Sequence, residues 1–257
     1  MKAVILAGGF GTRIGKETEF IPKPMIEIGG MPILIHIMKT YSHYGINDFV
    51  ICLGYKANII KDYFLNFYEY ESDFTIDLSD NSIKLHNNRS QPWKITLVET
   101  GYETMTGGRL LAVKDYIKDE ETFCFTYGDG VSDVNIQKLV EFHKLHGKLA
   151  TLTSIEAPSR FGEIETDSDG MVTNFLEKPS SDGRNINGGY FVLSNKVLDY
   201  IKDGSSTIWE KSPLENLAKD KELMTYKHKG FWHCMDTPRD KAHLEELWHS
   251  GNAPWKV

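Results

Sequence analysis

The chain opens on an unbroken apolar run, Ala3-Val4-Ile5-Leu6-Ala7, that stops at Gly8-Gly9-Phe10-Gly11-Thr12-Arg13. A short apolar run of this kind reads as a strand buried on both faces, as parallel sheets use. The spacing then turns helical. Ile33, Leu34, Ile37, Met38 and Tyr41 share a face, Pro32 lies at the first turn, and Gly45 marks the end. A second run, Asp48–Leu53, closes on Gly54-Tyr55-Lys56, and a helix bearing Ile59, Ile60, Tyr63, Phe64 and Phe67 follows. This alternation predicts a parallel sheet with right-handed crossovers.

Residues 70–94 break the pattern. They are polar, alternate weakly and contain Asp80-Asn81, a turn signal, so they read as an inserted antiparallel hairpin. Strand and helix signals then resume: a strand from Ile95 to Glu99, a loop from Gly101 to Gly108, a helix from Leu110 to Ile117, and a strand from Thr122 to Tyr127. A helix around Ile136 to His146 and a strand from Ala150 to Ile155 continue the series. From about residue 160 to 237 the chain is rich in strands, and a last helix starts near Pro238. The expectation is an α/β fold: a Rossmann-like, mixed but mostly parallel sheet flanked by helices, forming one domain over 1–257.

Candidate chemistry sits where strands end. The loop after an apolar strand lies at the carboxyl edge of the sheet, where open α/β folds bind ligands. Glycines at 8, 9 and 11 let backbone N–H groups approach a phosphate, and Arg13 adds a planar cationic fork. The spacing excludes the dinucleotide fingerprint, because Gly9 and Gly11 lead to Ile14 where a third glycine is needed. It also excludes a P-loop, because Gly15-Lys16 is followed by Glu17.

Tyr127-Gly128-Asp129-Gly130 places an acid on a turn at a strand end, and Met235-Asp236-Thr237-Pro238 supplies another. Two such carboxylates suit magnesium, which takes one or two protein carboxylates with phosphate and water. Helix capping is the competing explanation, and for Asp236 alone it is the stronger one. Glu177-Lys178-Pro179, Asn187-Gly188-Gly189 and Thr104-Met105-Thr106-Gly107-Gly108-Arg109 are further binding elements, each ambiguous alone. His143 and His146 share a helix face without a metal-ligand pattern and read as surface positions; His36 reads as packing.

Composition narrows the class. With 257 residues, 40% of them hydrophobic and 25% charged, the chain can bury a sizeable core. A net charge of −7 argues against a nucleic-acid partner but leaves nucleotides open. No apolar run approaches the ~18 residues of a membrane span, and the first strand lacks signal-peptide flanks. No membrane association and a cytoplasmic location are therefore expected. Cys52, Cys124 and Cys234 each lie in a strand-like run and read as buried, inert thiols.

Leu6-Ala7-Gly8-Gly9-Phe10-Gly11-Thr12-Arg13 with Pro22-Lys23-Pro24-Met25 resembles the signature of the sugar-1-phosphate nucleotidylyltransferases. Gly128-Asp129, Glu177-Lys178-Pro179, Asn187-x-Gly189 and Asp236 follow in that family's order, so the likeness covers nearly the whole chain. Lys23–Gly30, His36–Lys39 and Cys52–Lys56 resemble its cytidylyl-transferring branch. Three departures are visible: Gly130 stands where several relatives carry Asn, Ile14 stands for the usual Leu after the Arg, and Thr106–Arg109 lacks the base-loop pattern of the thymidylyl enzymes.

The resemblance implies CTP and glucose 1-phosphate as substrates, Mg2+ as cofactor, CDP-glucose as product, and a place in supplying sugars for O-antigen and lipopolysaccharide. It also implies a homo-oligomer, of hexameric type. Residues 6–13, Thr104, Thr106, Gly107, Gly108, Arg109 and Gly128 would hold the nucleotide. Lys23, Glu177, Lys178 and Gly189 would hold the sugar phosphate, within a sugar-binding portion at about 160–237. Asp129 and Asp236 would hold the metal, and Arg13, Lys23 and Asp129 would act in catalysis. Arg109 is the candidate reader of cytosine N3, which accepts a hydrogen bond where uracil donates one. The same fold with UTP, dTTP or GTP, or a non-catalytic nucleotide sensor, are the alternatives.

Overall fold

Seven strands build the central sheet of the computed structural model: β1 (Lys2–Leu6), β2 (Asp48–Leu53), β3 (Lys94–Glu99), β4 (Thr122–Tyr127), β5 (Ala150–Glu156), β6 (Asn185–Ser194) and β7 (Leu223–His228). The structure describes residues 1–87, 89, 91–156 and 185–257, and the backbone alone of 163–166 and 172–176. The strand order is β7-β5-β6-β4-β1-β2-β3. Only β6 is antiparallel to its neighbours β4 and β5; β1 pairs in parallel with both β2 and β4, β2 with β3, and β5 with β7. The mixed, mostly parallel sheet expected from the sequence is what forms.

Both sheet faces are covered, which is why β1 is apolar from Ala3 to Leu6. Ala3 and Ile5 enter a core shared with helices Ile33–His43, Ile136–His146 and Pro238–His249, while Val4 and Leu6 enter the opposite core with Leu110, Val113 and Leu217. The chain steps outward from β1 to β2 and β3, then returns to β4 on the other side of β1. That reversal opens a crevice between the carboxyl ends of β1 and β4, the place where ligands bind such sheets.

Hairpins stand outside the sheet, among them two longer ones. Asp73–Asp77 pairs with Ser82–His86 in the segment read as an insert, and Asn81 takes the left-handed conformation its turn requires, with φ 58°. Glu163–Thr166 pairs with Val172–Leu176.

Three expectations need correction. Gly107 and Gly108 are not in a loop but inside the helix Thr106–Ala112, whose first turn donates from both glycine N–H groups to Thr207 O. A side chain at Gly108 would strike the Ser205 backbone at 2.6 Å, so these glycines serve close packing. His143 is not at the surface. It is 3% exposed, with Nδ1 2.9 Å from Thr151 Oγ1. Cys234 is only half-buried, with its Sγ 3.6 Å from Asp236 Oδ2, whereas Cys52 and Cys124 are buried as expected.

Candidate active site

The loop leaving β1 carries the first half of the site. Gly11, at φ 63°, turns the chain into the 3₁₀ turn Thr12–Ile14, and so presents Arg13 outward, with its side chain 74% exposed. A later 3₁₀ turn, Lys23–Met25, brings Lys23 against Gly11, where a side chain on Gly11 would meet Lys23 Cβ at 2.8 Å. Gly11 thus serves two needs at once, a left-handed backbone and room for the lysine stem.

One acid comes from the middle of the chain and the other from near its end, and they meet through a short ladder. Gly130–Ser132, just after β4, pairs antiparallel with Trp232–Cys234, and Met235 N donates to Asp129 O at 2.8 Å. Asp236 follows at once. It does not cap the last helix: Thr237 is the N-cap, in a reciprocal capping box with Asp240, which frees the Asp236 carboxylate to face the site. The capping explanation that the sequence favoured for Asp236 is therefore wrong.

Lys23 Nζ lies 2.6 Å from Asp129 Oδ2 and 2.6 Å from Asp236 Oδ1. Arg13 Nη2 lies 3.0 Å from the same Asp236 oxygen. Burial alone would lower the Lys23 ammonium, but the Asp129 and Asp236 carboxylates carry it above its ordinary 10.5. Burial alone would raise Asp236, but Lys23, with help from Arg13, holds it below its ordinary 3.8. Lys23 and Asp236 are therefore both ionised at neutral pH.

Two cavities meet at this cluster. The larger, about 700 Å³, is lined by residues 6–13, Lys23, Pro24, 102–106, Arg109 and 127–129. Leu6, Ala7, Gly8, Gly9, Phe10, Gly11, Thr12, Thr104, Thr106, Arg109 and Gly128 thus share one wall system, as their sequence assignment requires. Gly107 and Gly108 do not line it. The smaller, about 250 Å³, is bordered by Asn187, Gly188, Gly189, Trp232 and Asp236. Arg13, Tyr127 and Asp129 border both. Glu177 and Lys178 lie outside the described residues.

Arg109 is 4% exposed. Its Nη1 donates to Leu53 O, Thr100 Oγ1 and Gly101 O, and its Nη2 to Gly8 O and Tyr102 O. It ties together the loops that follow β1, β2 and β3. Any reading of a base by this guanidinium must share donors now held by carbonyls. Sequence reasoning missed Tyr127 and Glu210. The Glu210 carboxylate accepts from the Tyr127 hydroxyl and, at 2.7 Å, from Thr106 Oγ1, so one acid braces both cavities. Burial, and then Glu210, push the Tyr127 phenol above its ordinary range. Nothing in Ile208-Trp209-Glu210-Lys211 signals this role, because the contact depends on how the helix Ser212–Lys219 docks.

An anion cradle at a sheet switch point, beside two carboxylates and two cations, is the arrangement of an enzyme that transfers nucleotidyl groups. The nucleotidyl transferase family model matches residues 2–242, and the chain belongs to that family. The chain is 55% identical over 257 residues to the glucose-1-phosphate cytidylyltransferase of Salmonella typhi, covering all of this chain and 99% of that one. It is 49% identical over 257 residues to the probable glucose-1-phosphate cytidylyltransferase of Bacillus subtilis, covering 100% of both. Among solved structures, HddC from Yersinia pseudotuberculosis complexed with GMP-PN superposes with a TM-score of 0.68 at 25% identity, over 96% of this chain and 99% of that one. A UDP-glucose pyrophosphorylase complexed with UDP-glucose superposes with a TM-score of 0.69, over 97% and 98% of the two chains; at 16% identity it shows the shared fold alone.

Proposed function

We propose that this enzyme transfers a cytidylyl group from CTP to α-D-glucose 1-phosphate, giving CDP-glucose and pyrophosphate. The observation that carries the reading is the meeting of two cavities at one charged cluster. The larger lies within the size range of small-molecule sites, and the smaller shares Arg13, Tyr127 and Asp129 with it. The near relatives named for this activity support the choice of CTP and glucose 1-phosphate.

The chemistry asks little of a base. A phosphate monoester loses its second proton at about pH 6, so the attacking sugar-phosphate oxygen is already anionic. In-line attack on the α-phosphorus expels pyrophosphate, and catalysis consists of positioning and charge neutralisation. Gly8, Gly9 and Gly11 line the triphosphate end of the larger cavity, and Arg13 backs the leaving pyrophosphate. Lys23 draws the sugar phosphate toward the α-phosphorus. Gly189 borders the sugar side.

The donor set fits Mg2+. Lys23 already stands as a cation between Asp129 and Asp236, and two carboxylates with substrate oxygens and water make up the ligands magnesium prefers. Among the described residues no larger group of acids, histidines and cysteines gathers, as suits an ion shared with phosphates. Asp129 and Asp236 would hold it, and the bound ion would neutralise phosphate charge.

Pyrophosphate release measured with each of the four NTPs and glucose 1-phosphate tests the reading. CTP is expected to give the highest kcat/KM, and another NTP matching it would overturn the base assignment. Within that assay, Arg109→Ala is expected to reduce the CTP-over-UTP preference. An unchanged preference with surviving activity would leave Arg109 as a loop tie only. We also infer a homo-oligomer, from the uncovered apolar face of the hairpin Asp73–His86. Among the described residues no helix is long and apolar enough to cross a membrane.

A further inference from the structure

Asp129 and Asp236 are the carboxylates assigned above to a divalent ion, and the role of Lys23 between them rests on that reading. A single ammonium already joins them: Lys23 Nζ is 2.6 Å from an oxygen of each. Arg13 Nη2 adds a second cation, 3.0 Å from the same Asp236 oxygen. The Lys23 side chain is 9% exposed, with its backbone fixed in the turn Lys23–Met25 and its stem packed on Gly11. The two carboxylates reach this point from elements far apart in the chain, and facing each other they would repel without a cation between them. Magnesium bonds oxygen at about 2.0–2.1 Å and demands near-octahedral geometry. An ammonium within hydrogen-bond distance of both oxygens fills that bridging position and repels an ion approaching it.

We propose that Lys23 is the resident counter-ion of the metal position: its ammonium bridges Asp129 and Asp236 until a divalent ion arrives, then leaves both carboxylates for the incoming phosphates. The local charges explain why the exchange is tied to substrate. Lys23 and Arg13 balance Asp129 and Asp236, so a bare divalent ion would leave the pocket with excess positive charge. An ion that arrives on a triphosphate brings its own anion, and the displaced lysine has somewhere to go. Lys23 is here a positioning residue for ion binding, beyond its part in binding the sugar phosphate.

The test is Mn2+ binding followed by electron paramagnetic resonance without nucleotide. Lys23→Met is expected to bind free Mn2+ about tenfold more tightly than the wild type, because the competing cation is gone. Adding Asp129→Asn to Lys23→Met should abolish that gain. Equal or weaker binding by Lys23→Met overturns the proposal. A wild-type measurement covers the case in which the variant does not fold: carbamylation of Lys23 by cyanate, read by peptide mass spectrometry, should accelerate severalfold with saturating Mn2+. An unchanged rate overturns the proposal as well. Mn2+ binding in the presence of CTP, compared between wild type and Asp129→Asn, tests the metal site itself. If that Asp129-dependent binding is present while Lys23→Met shows no gain, only the lysine exchange fails; if it is absent, the metal reading fails with it.

Discussion

At the scale of single residues, Gly8 shows how a correct motif can have a reason the motif does not state. The sequence reading gives its glycines one purpose, backbone approach to phosphate. In the fold, a side chain on Gly8 would lie 2.2 Å from Arg109 Nη1 and 2.9 Å from Gly54 N, whereas one on Gly9 would meet nothing within 4 Å. Gly8 therefore makes room for the buried guanidinium that ties three loops together. Gly8→Ala is expected to cost roughly 1–3 kcal/mol of stability through overpacking and to lower kcat/KM for CTP at least several-fold. Gly9→Ala should stay within about 0.5 kcal/mol of wild type. Chemical denaturation of the two variants checks this, and equal losses would separate Arg109 from the shape of the loop. Arg13 and Asp129 stand out in the sequence because each lies in a short motif that follows a strand, and Lys23 because it heads the Lys23-Pro24 turn; the structure gathers all three around Asp236. Tyr127 and Glu210 do not stand out, since a hydroxyl–carboxylate contact 83 residues apart leaves no local mark.

Among the elements, the helix Ile136–His146 shows where periodicity misleads. Its histidines fall in the last turn among charged residues and read as exposed, yet the Thr151 hydroxyl in β5 sits 2.9 Å from His143 Nδ1 and 2.6 Å from His146 Nε2. Burial, and then the neighbouring His146, push His143 down from its ordinary 6.5 to about 4. The ring is thus neutral when folded and takes up its proton near 6.5 when unfolded. Between those values the unfolded chain binds more protons, so stability falls as pH drops from 6.5 toward 4. The loss expected at pH 5 relative to pH 7.5 is about 2 kcal/mol. Urea melts at the two pH values check it, and His143→Gln should flatten the difference; an equally steep pH dependence in that variant would place its origin elsewhere. The strands were more legible than the helices. The runs at Asp48–Leu53 and Thr122–Tyr127 fall where the structure has β2 and β4, because burial on both faces leaves an unbroken apolar signal. The first turn of the helix Thr106–Ala112 was read as a loop because its two glycines answer to Ser205–Thr207, a partner about a hundred residues away.

At the scale of the whole molecule, the inserted hairpin leaves an apolar face uncovered among the described residues. In the hairpin of Asp73–Asp77 and Ser82–His86, Phe74 pairs with Leu85 and Ile76 with Ile83, so these four share one face, and their exposures run from 37% to 57%. Asp73, Thr75 and Asp77 take the other face opposite His86, Lys84 and Ser82. An isolated two-stranded hairpin is marginal in water, and an apolar face of this kind marks an interaction surface. Sedimentation velocity at micromolar concentration is expected to give a species larger than the 29.3 kDa monomer, and Ile76→Lys should shift it toward the monomer. A monomeric wild type would remove the hairpin from any such contact.

The three-residue ladder between Gly130–Ser132 and Trp232–Cys234 has a consequence in time as well as in space. Synthesis runs from the amino terminus, so Asp129 leaves the ribosome about a hundred residues before Asp236, and Lys23 leaves it 213 residues before. The rungs Trp232–Cys234 come from the last part of the chain to be made, so the cluster of Lys23, Asp129 and Asp236 cannot assemble until nearly all of it has been synthesised.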